Sequence, residues 1–127
     1  MTLPLAEFRF VQITDIHGGR NEQGNEILGE VVKDIVFLKP TPSFVVCTGD
    51  FTNSGLGWEY DKYLPKLEPL SFSGIPIFHV PGNHETRWSP RMKEEYIDRL
   101  GPTYYRLNFS GHHFFFLDTT VVAATFG

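Results

Sequence analysis

The sequence predicts an α/β protein in which a βαβαβ unit is followed by a further helix and a β-hairpin. Short apolar runs alternate with segments of helical periodicity, and this order is typical of a parallel sheet with right-handed crossovers. The length of 127 residues and the hydrophobic content of 41% fit a single domain over 1–127. The same composition excludes a disordered chain and a coiled-coil rod.

Three apolar runs are the predicted parallel strands. They cover Phe8–Thr14, Ser43–Gly49 and Ile75–Val80. The middle run is rich in valine, which is the composition of a strand buried on both faces. Two later runs, Tyr104–Ser110 and His113–Thr119, are separated by a short polar turn and predict the hairpin.

Three helices are predicted between these strands. Apolar residues at helical spacing indicate the first helix over Glu26–Leu38. A weaker pattern that begins at Tyr60 indicates a second helix, which is expected to end near Pro69 because proline interrupts helical hydrogen bonding. Pro90 is favourable at a first helical position and opens the third helix, and Gly101 follows its last apolar residue.

Charge and composition also limit the partners. The net charge is −4, from 11 Lys and Arg against 15 Asp and Glu, so neither a specific nucleic-acid partner nor a membrane partner is expected. No apolar stretch approaches the length of about 18 residues that spans a bilayer. The N-terminal segment lacks the features of a secretory signal, and a single cysteine, Cys47, suits a reducing compartment. A cytoplasmic location is therefore predicted.

Side chains that bind metals or transfer protons follow each predicted parallel strand. Asp15 and His17 follow the first strand, Asp50 follows the second, and 83–85, which read Asn-His-Glu, follow the third. The carboxyl ends of parallel strands meet at one edge of a sheet, so these side chains are expected to converge. Asp15 and His17 are expected to point the same way because alternate residues of an extended segment share a side. Each motif alone is also typical of a cap, a surface residue or a plain turn, but three coincidences at one edge favour a site.

This set of ligand types suits a hydrolytic centre with two divalent ions of the Mn, Fe, Co, Ni or Zn type. The sequence resembles the calcineurin-like metallophosphoesterase family in the segments that carry these ligands. They read ITDIH, VVCTGDFTNSG and FHVPGNHE, and the later segment HFFFLDT supports the resemblance. Within that family, the motifs are most similar to those of the bacterial cyclic-nucleotide phosphodiesterase-like members. The resemblance implies hydrolysis of phosphate mono- or diesters. It places Asp15 and His17 on the first metal, Asp50 between both metals and Asn83 on the second.

The resemblance also implies roles for two neighbouring residues. His84 would steady the phosphate or protonate the leaving oxygen, and Glu85 would orient His84 through a hydrogen bond. These two side chains are the predicted catalytic pair.

The sequence departs from the family pattern in its C-terminal part. The family carries a lone histidine and a Gly-His-x-His segment as further ligands, and this sequence has neither. The expected fold is therefore the first half of a four-layer α/β/β/α sandwich, apparently truncated at its C-terminus. Such a chain is expected to bind at most one metal ion tightly and to hydrolyse phosphate esters poorly. Self-association, or a complementary chain that supplies the missing half, is the expected partnership.

Histidines elsewhere are not expected to replace those ligands. His112 and His113 are adjacent in a predicted turn, which does not reproduce the spacing of the family segment, and His79 is expected to be a satisfied core residue. Two functions of other classes stay open. One is a module that binds a metal or phosphate without turnover, and the other is an interaction module, favoured by the apolar HFFFLDT strand because an unpaired edge invites association.

Overall fold

A three-stranded parallel sheet forms the centre of the protein, whose structure is a computed structural model that describes residues 6–121. The strands are β1 (Phe10–Ile13), β2 (Phe44–Cys47) and β3 (Ile77–His79), in the order β1-β2-β3. Their register places Phe10 beside Phe44 and Cys47 beside His79. A separate antiparallel hairpin follows, made of β4 (Tyr105–Phe109) and β5 (His112–Phe116). The predicted parallel sheet and hairpin are confirmed.

Helical segments connect the parallel strands and follow the third of them. They are α1 (Glu22–Phe37), α2 (Gly57–Tyr63), a 3₁₀ turn (Leu64–Leu67), α3 (Glu68–Phe72), α4 (Asn83–Thr86) and α5 (Pro90–Leu100). Helix α5 begins where Pro90 predicts it. In the described part of the chain, no helix is both long enough and apolar enough to cross a membrane.

Two helix boundaries differ from the prediction. Helix α1 begins at Glu22 rather than Glu26 because the Asn21 side chain caps it, accepting a hydrogen bond from the Gly24 N–H at 3.2 Å. Pro69 does not end the second helical segment. It occupies the first turn of α3, where an intrahelical N–H is not required, so the chain continues in a new helix.

The two faces of β2 bury different partners. Val45 and Cys47 face the helices and join a core that includes Leu28, Val32, Ile35, Tyr60, Tyr63, Leu70 and Tyr96. Phe44 and Val46 face the hairpin and pack with Phe116. Helices, parallel sheet and hairpin thus form three layers within 6–121, and β2 is buried on both sides as its valine-rich composition predicts. The fourth layer of the expected sandwich stays a prediction.

His79 is a buried residue at the end of β3, as expected. Its Nε2 atom lies 2.9 Å from the Tyr63 hydroxyl, and burial lowers the pKa of His79 from 6.5 to about 4. Cys47, on the neighbouring strand, is a buried free thiol whose pKa burial raises to about 11, so it is unreactive at neutral pH.

The buried His79 predicts a pH dependence of stability. Between pH 6.5 and 4 the unfolded chain holds the His79 proton while the folded chain does not, so acid favours unfolding. We expect the free energy of unfolding to decrease by up to about 3 kcal/mol across this range, from the difference between the two pKa values. Urea unfolding at several pH values, on the wild type and on His79→Gln, measures it. Parallel pH profiles for the two proteins would contradict the assignment.

Candidate metal centre

The loops that follow β1 and β2 run side by side beyond the strand ends. The Asp15 N–H donates to the Gly49 carbonyl at 3.0 Å, and the His17 N–H donates to the Asp50 carbonyl at 2.9 Å. The parallel pairing of the strands therefore continues into the loops and brings their side chains to one edge of the sheet. This is the edge at which the sequence predicts a site.

The backbone of this edge is strained at three residues. Asp15, His17 and Asp50 have φ values of 57°, 51° and 51°, and in residues 6–121 the one other non-glycine residue with positive φ is Ser110, in the hairpin turn. The left-handed region costs a residue with a Cβ atom about 1–2 kcal/mol. Such strain persists where tertiary structure enforces it, and it is concentrated at functional sites.

The expected reason for the proximity of Asp15 and His17, a shared side of an extended segment, is wrong. They do not lie on one side of an extended segment, because β1 ends at Ile13 and the chain then turns. Their side chains nevertheless lie close together, with 3.7 Å between the Asp15 Oδ1 and His17 Nε2 atoms. Asp15 lies at the open side of the edge, with its side chain 61% exposed.

Two glycines bring the second and third loops into contact. Gly49 has a φ of 108°, and a Cβ atom there would lie 2.5 Å from the Gly82 nitrogen. A Cβ atom at Gly82 would meet the Asp50 carboxylate. Only glycine allows this approach, which sets Asp50 directly beside the start of α4.

Ligand-type atoms of His17, Asp50 and His84 converge at this edge, all within 4.8 Å of one another. The two imidazole rings meet edge to face, with 4.6 Å between their centroids. The Nδ1 atom of His17 is buried and has no hydrogen-bond partner in the described chain. We refer to Asp15, His17, Asp50, Asn83 and His84 as the three-loop site.

Asn83 begins α4 and lies against Asp50. Its side-chain amide has one atom 3.2 Å from both carboxylate oxygens of Asp50. An amide nitrogen in that position donates to the carboxylate, whereas an amide oxygen there faces two acceptors and requires a cation to offset the repulsion. Carboxylate, imidazole and amide groups around an orphaned imidazole nitrogen fit a divalent ion of the Mn-to-Zn series. The residues present therefore fit the metal that the sequence analysis implies.

The orientation of His84 is set by two hydrogen bonds, one to a backbone carbonyl and one to a carboxylate. Its Nδ1 atom lies 2.6 Å from the Asn53 carbonyl oxygen, and its backbone N–H donates to Asp50 Oδ1 at 3.1 Å. Because a carbonyl can only accept, Nδ1 carries a proton and Nε2 is left for the site. Nε2 can then bind a metal or hold a second proton. The sequence analysis missed Asn53, since a backbone acceptor leaves no signal in residue type.

Glu85 makes no hydrogen bond to His84 in the described residues, so the expected contact between them is wrong. Its carboxylate is fully buried and accepts hydrogen bonds from the Asp50 and Gly82 N–H groups at 2.8 and 2.7 Å, and from the N–H and hydroxyl of Thr52, both at 2.9 Å. Burial raises the pKa of Glu85, while these hydrogen bonds act in the opposite direction. Glu85 therefore joins two loops rather than supporting an imidazole.

The remaining histidines lie outside the three-loop site. His112 Nδ1 contacts the Ser110 carbonyl at 2.9 Å and His113 Nδ1 contacts Asn108 Oδ1 at 2.6 Å, both on the exposed hairpin. Neither belongs to the group of metal-type side chains that converges in 6–121.

Comparisons with known proteins agree with this chemistry. Residues 8–123 match a family model described as calcineurin-like phosphoesterase. A stretch of 59 residues is 34% identical to a protein of Arcobacter nitrofigilis named "Probable glycerophosphodiester phosphodiesterase GpdQ". That match covers 46% of this chain and 20% of the relative, so the matched stretch spans about a fifth of the relative's length.

Proposed function

The chain belongs to the calcineurin-like phosphoesterase family, and on that premise we propose that its three-loop site binds a divalent metal ion and hydrolyses phosphate esters. The observation that carries this proposal is the convergence of His17, Asp50 and His84 within 4.8 Å. Asp50 and His17 of this group, with Asp15 beside His17, supply the number of ligands that catalytic sites commonly use, about three.

The proposed ligands are those of the sequence analysis. Asp50 and His17 lie in the converging group, Asp15 lies 3.7 Å from His17, and Asn83 contacts Asp50 from α4. A divalent ion at this position supplies positive charge that polarises a phosphoryl oxygen and lowers the pKa of water. In the two-metal form of the proposal, Asp50 would be the shared ligand, since it converges with His17 of the first loop and contacts Asn83 and His84 of the third.

His84 is proposed to handle the proton of the leaving group. The Nδ1–H group donates to the Asn53 carbonyl, so a proton carried at Nε2 faces the site. Nε2–H can then donate to an alkoxide oxygen as it departs.

Phosphate diesters are the proposed substrate class. The relative from Arcobacter nitrofigilis is named as a phosphodiesterase, which favours diesters over monoesters for this chain.

A second candidate function is metal binding without turnover. It is favoured by the size of the converging group, which in 6–121 comprises three side chains and so suits one ion rather than two.

Hydrolysis of bis(4-nitrophenyl) phosphate and of 4-nitrophenyl phosphate with Mn²⁺ tests both candidates. We expect the diester to be cleaved faster, activity to stop when EDTA removes the ion, and Mn²⁺ to restore it. Hydrolysis that EDTA does not affect would contradict the proposed function. Mn²⁺ binding without any release of nitrophenol would favour the second candidate.

A further inference from the structure

Glu85 is a buried acid with an unusually complete set of donors. Its side chain is 0% exposed, and four hydrogen bonds of 2.7–2.9 Å reach its two oxygens. Burying a carboxylate is costly unless hydrogen bonds replace its water, and here three backbone N–H groups and one hydroxyl do so. No cation is among its hydrogen-bond partners in the described residues, so neutral backbone and hydroxyl donors stabilise the Glu85 carboxylate.

The donors to Glu85 belong to two loops that carry the three-loop site. Oε2 accepts from the Asp50 N–H of the second loop and from the Gly82 N–H of the third loop. Oε1 accepts twice from Thr52, two residues after Asp50. One carboxylate oxygen thus binds the backbone of a proposed ligand and the backbone that precedes Asn83.

We propose that Glu85 is a positioning residue for the metal centre, acting through Asp50 and Gly82 to set the separation of Asp50 from Asn83 and His84. The inference rests on the proposed function, since it assigns Glu85 a role in metal affinity. The positive φ of Asp50 supports it, because a strained ligand relaxes unless neighbouring groups hold it, and the Asp50 N–H is held by Glu85.

Glu59 offers a matched control in the same molecule. Its side chain is also buried, at 1% exposed, and it accepts hydrogen bonds from the Ser54 and Leu56 N–H groups at 2.9–3.2 Å. It makes no hydrogen bond to Asp50, Thr52 or Gly82 in the described chain. Replacing either acid by glutamine removes a buried acceptor of similar kind, but only one of them holds the proposed ligand.

Calorimetric titration with Mn²⁺, together with urea unfolding of the metal-free proteins, tests the proposal. We expect Glu85→Gln to weaken Mn²⁺ binding by about 10–100-fold, the range for residues that support a ligand, and Glu59→Gln to leave the affinity unchanged. Both variants are expected to unfold at lower urea concentration. Wild-type affinity in Glu85→Gln would overturn the positioning role alone, whereas a wild-type protein that binds no Mn²⁺ would overturn the proposed function as well.

A milder pair of variants keeps the test valid if Glu85→Gln does not fold. Thr52→Val removes the hydroxyl that donates to Glu85 and accepts from the Gly55 N–H, and it leaves the three backbone donors to Glu85 in place. Thr86→Val removes a buried hydroxyl that has no hydrogen-bond partner in the described chain. We expect Thr52→Val to lower Mn²⁺ affinity and to alter the electron paramagnetic resonance spectrum of the bound ion, and Thr86→Val to do neither. Identical spectra and affinities for Thr52→Val and the wild type would overturn the proposal.

Discussion

Asp50→Asn is expected to weaken Mn²⁺ binding by more than the 10–100-fold that is typical for the loss of a supporting residue, that is, by about 100-fold or more. Asparagine has nearly the shape of aspartate, so it can still accept the His84 N–H bond and still fit against Gly82. What it lacks is the negative charge in the converging group with His17 and His84. The effect therefore reports on the charge of the proposed ligand rather than on packing.

Two further variants make this prediction specific. Asp34→Asn removes an exposed carboxylate of α1 and changes the net charge by the same amount, so its Mn²⁺ affinity is expected to match that of the wild type. Asn83→Ala removes a neutral proposed ligand and is expected to cost less affinity than Asp50→Asn. Calorimetric titration ranks the variants, and unchanged affinity in Asp50→Asn would remove Asp50 from the metal centre.

His84→Ala is expected to lower the rate of diester hydrolysis by about 10²–10⁴-fold, the usual contribution of general acid catalysis, while Mn²⁺ remains bound. The reason is the Asn53 carbonyl, which fixes a proton on Nδ1 and presents Nε2 to the site. His112→Ala is the matched control, because it removes an exposed imidazole on the hairpin. The measurements are the rate with bis(4-nitrophenyl) phosphate and the Mn²⁺ content by plasma emission.

The metal content decides between two roles for this imidazole. His84 is a member of the group whose ligand atoms converge within 4.8 Å, so its geometry also suits direct coordination. If His84→Ala loses Mn²⁺ as well as activity, His84 is a ligand and its assignment to the leaving group is wrong. A variant that keeps both Mn²⁺ and wild-type rate would contradict both roles.

Strand and helix positions could be predicted because local patterns determine them. The valine-rich Phe44–Cys47 strand and the helix that opens at Pro90 follow from composition and from proline geometry. Pro69 misled the prediction, because proline at a first-turn position begins a helix as readily as proline elsewhere ends one. The Asn21 cap lies outside the apolar pattern that predicts α1, so that pattern places the start of the helix too late.

The site could be predicted only as a set of residues. Motif order and the topology of a parallel sheet bring Asp15, His17 and Asp50 to one edge, but their left-handed backbone conformations come from contacts between loops. The partners of Glu85 are N–H groups distant in sequence, and the partner of the His84 imidazole is a backbone carbonyl. Residue types do not indicate which backbone N–H and carbonyl groups will lie near a side chain, because folding brings those groups together.

The number of Mn²⁺ ions bound per chain tests whether the three-loop site is a metal centre. Plasma emission on the dialysed, monodisperse wild type and on Asp50→Asn gives this number. We predict one tightly bound ion per wild-type chain, removable by EDTA, and none in Asp50→Asn, because one group of metal-type side chains converges in 6–121. A wild-type chain that retains no Mn²⁺, or an equal content in Asp50→Asn, would contradict it.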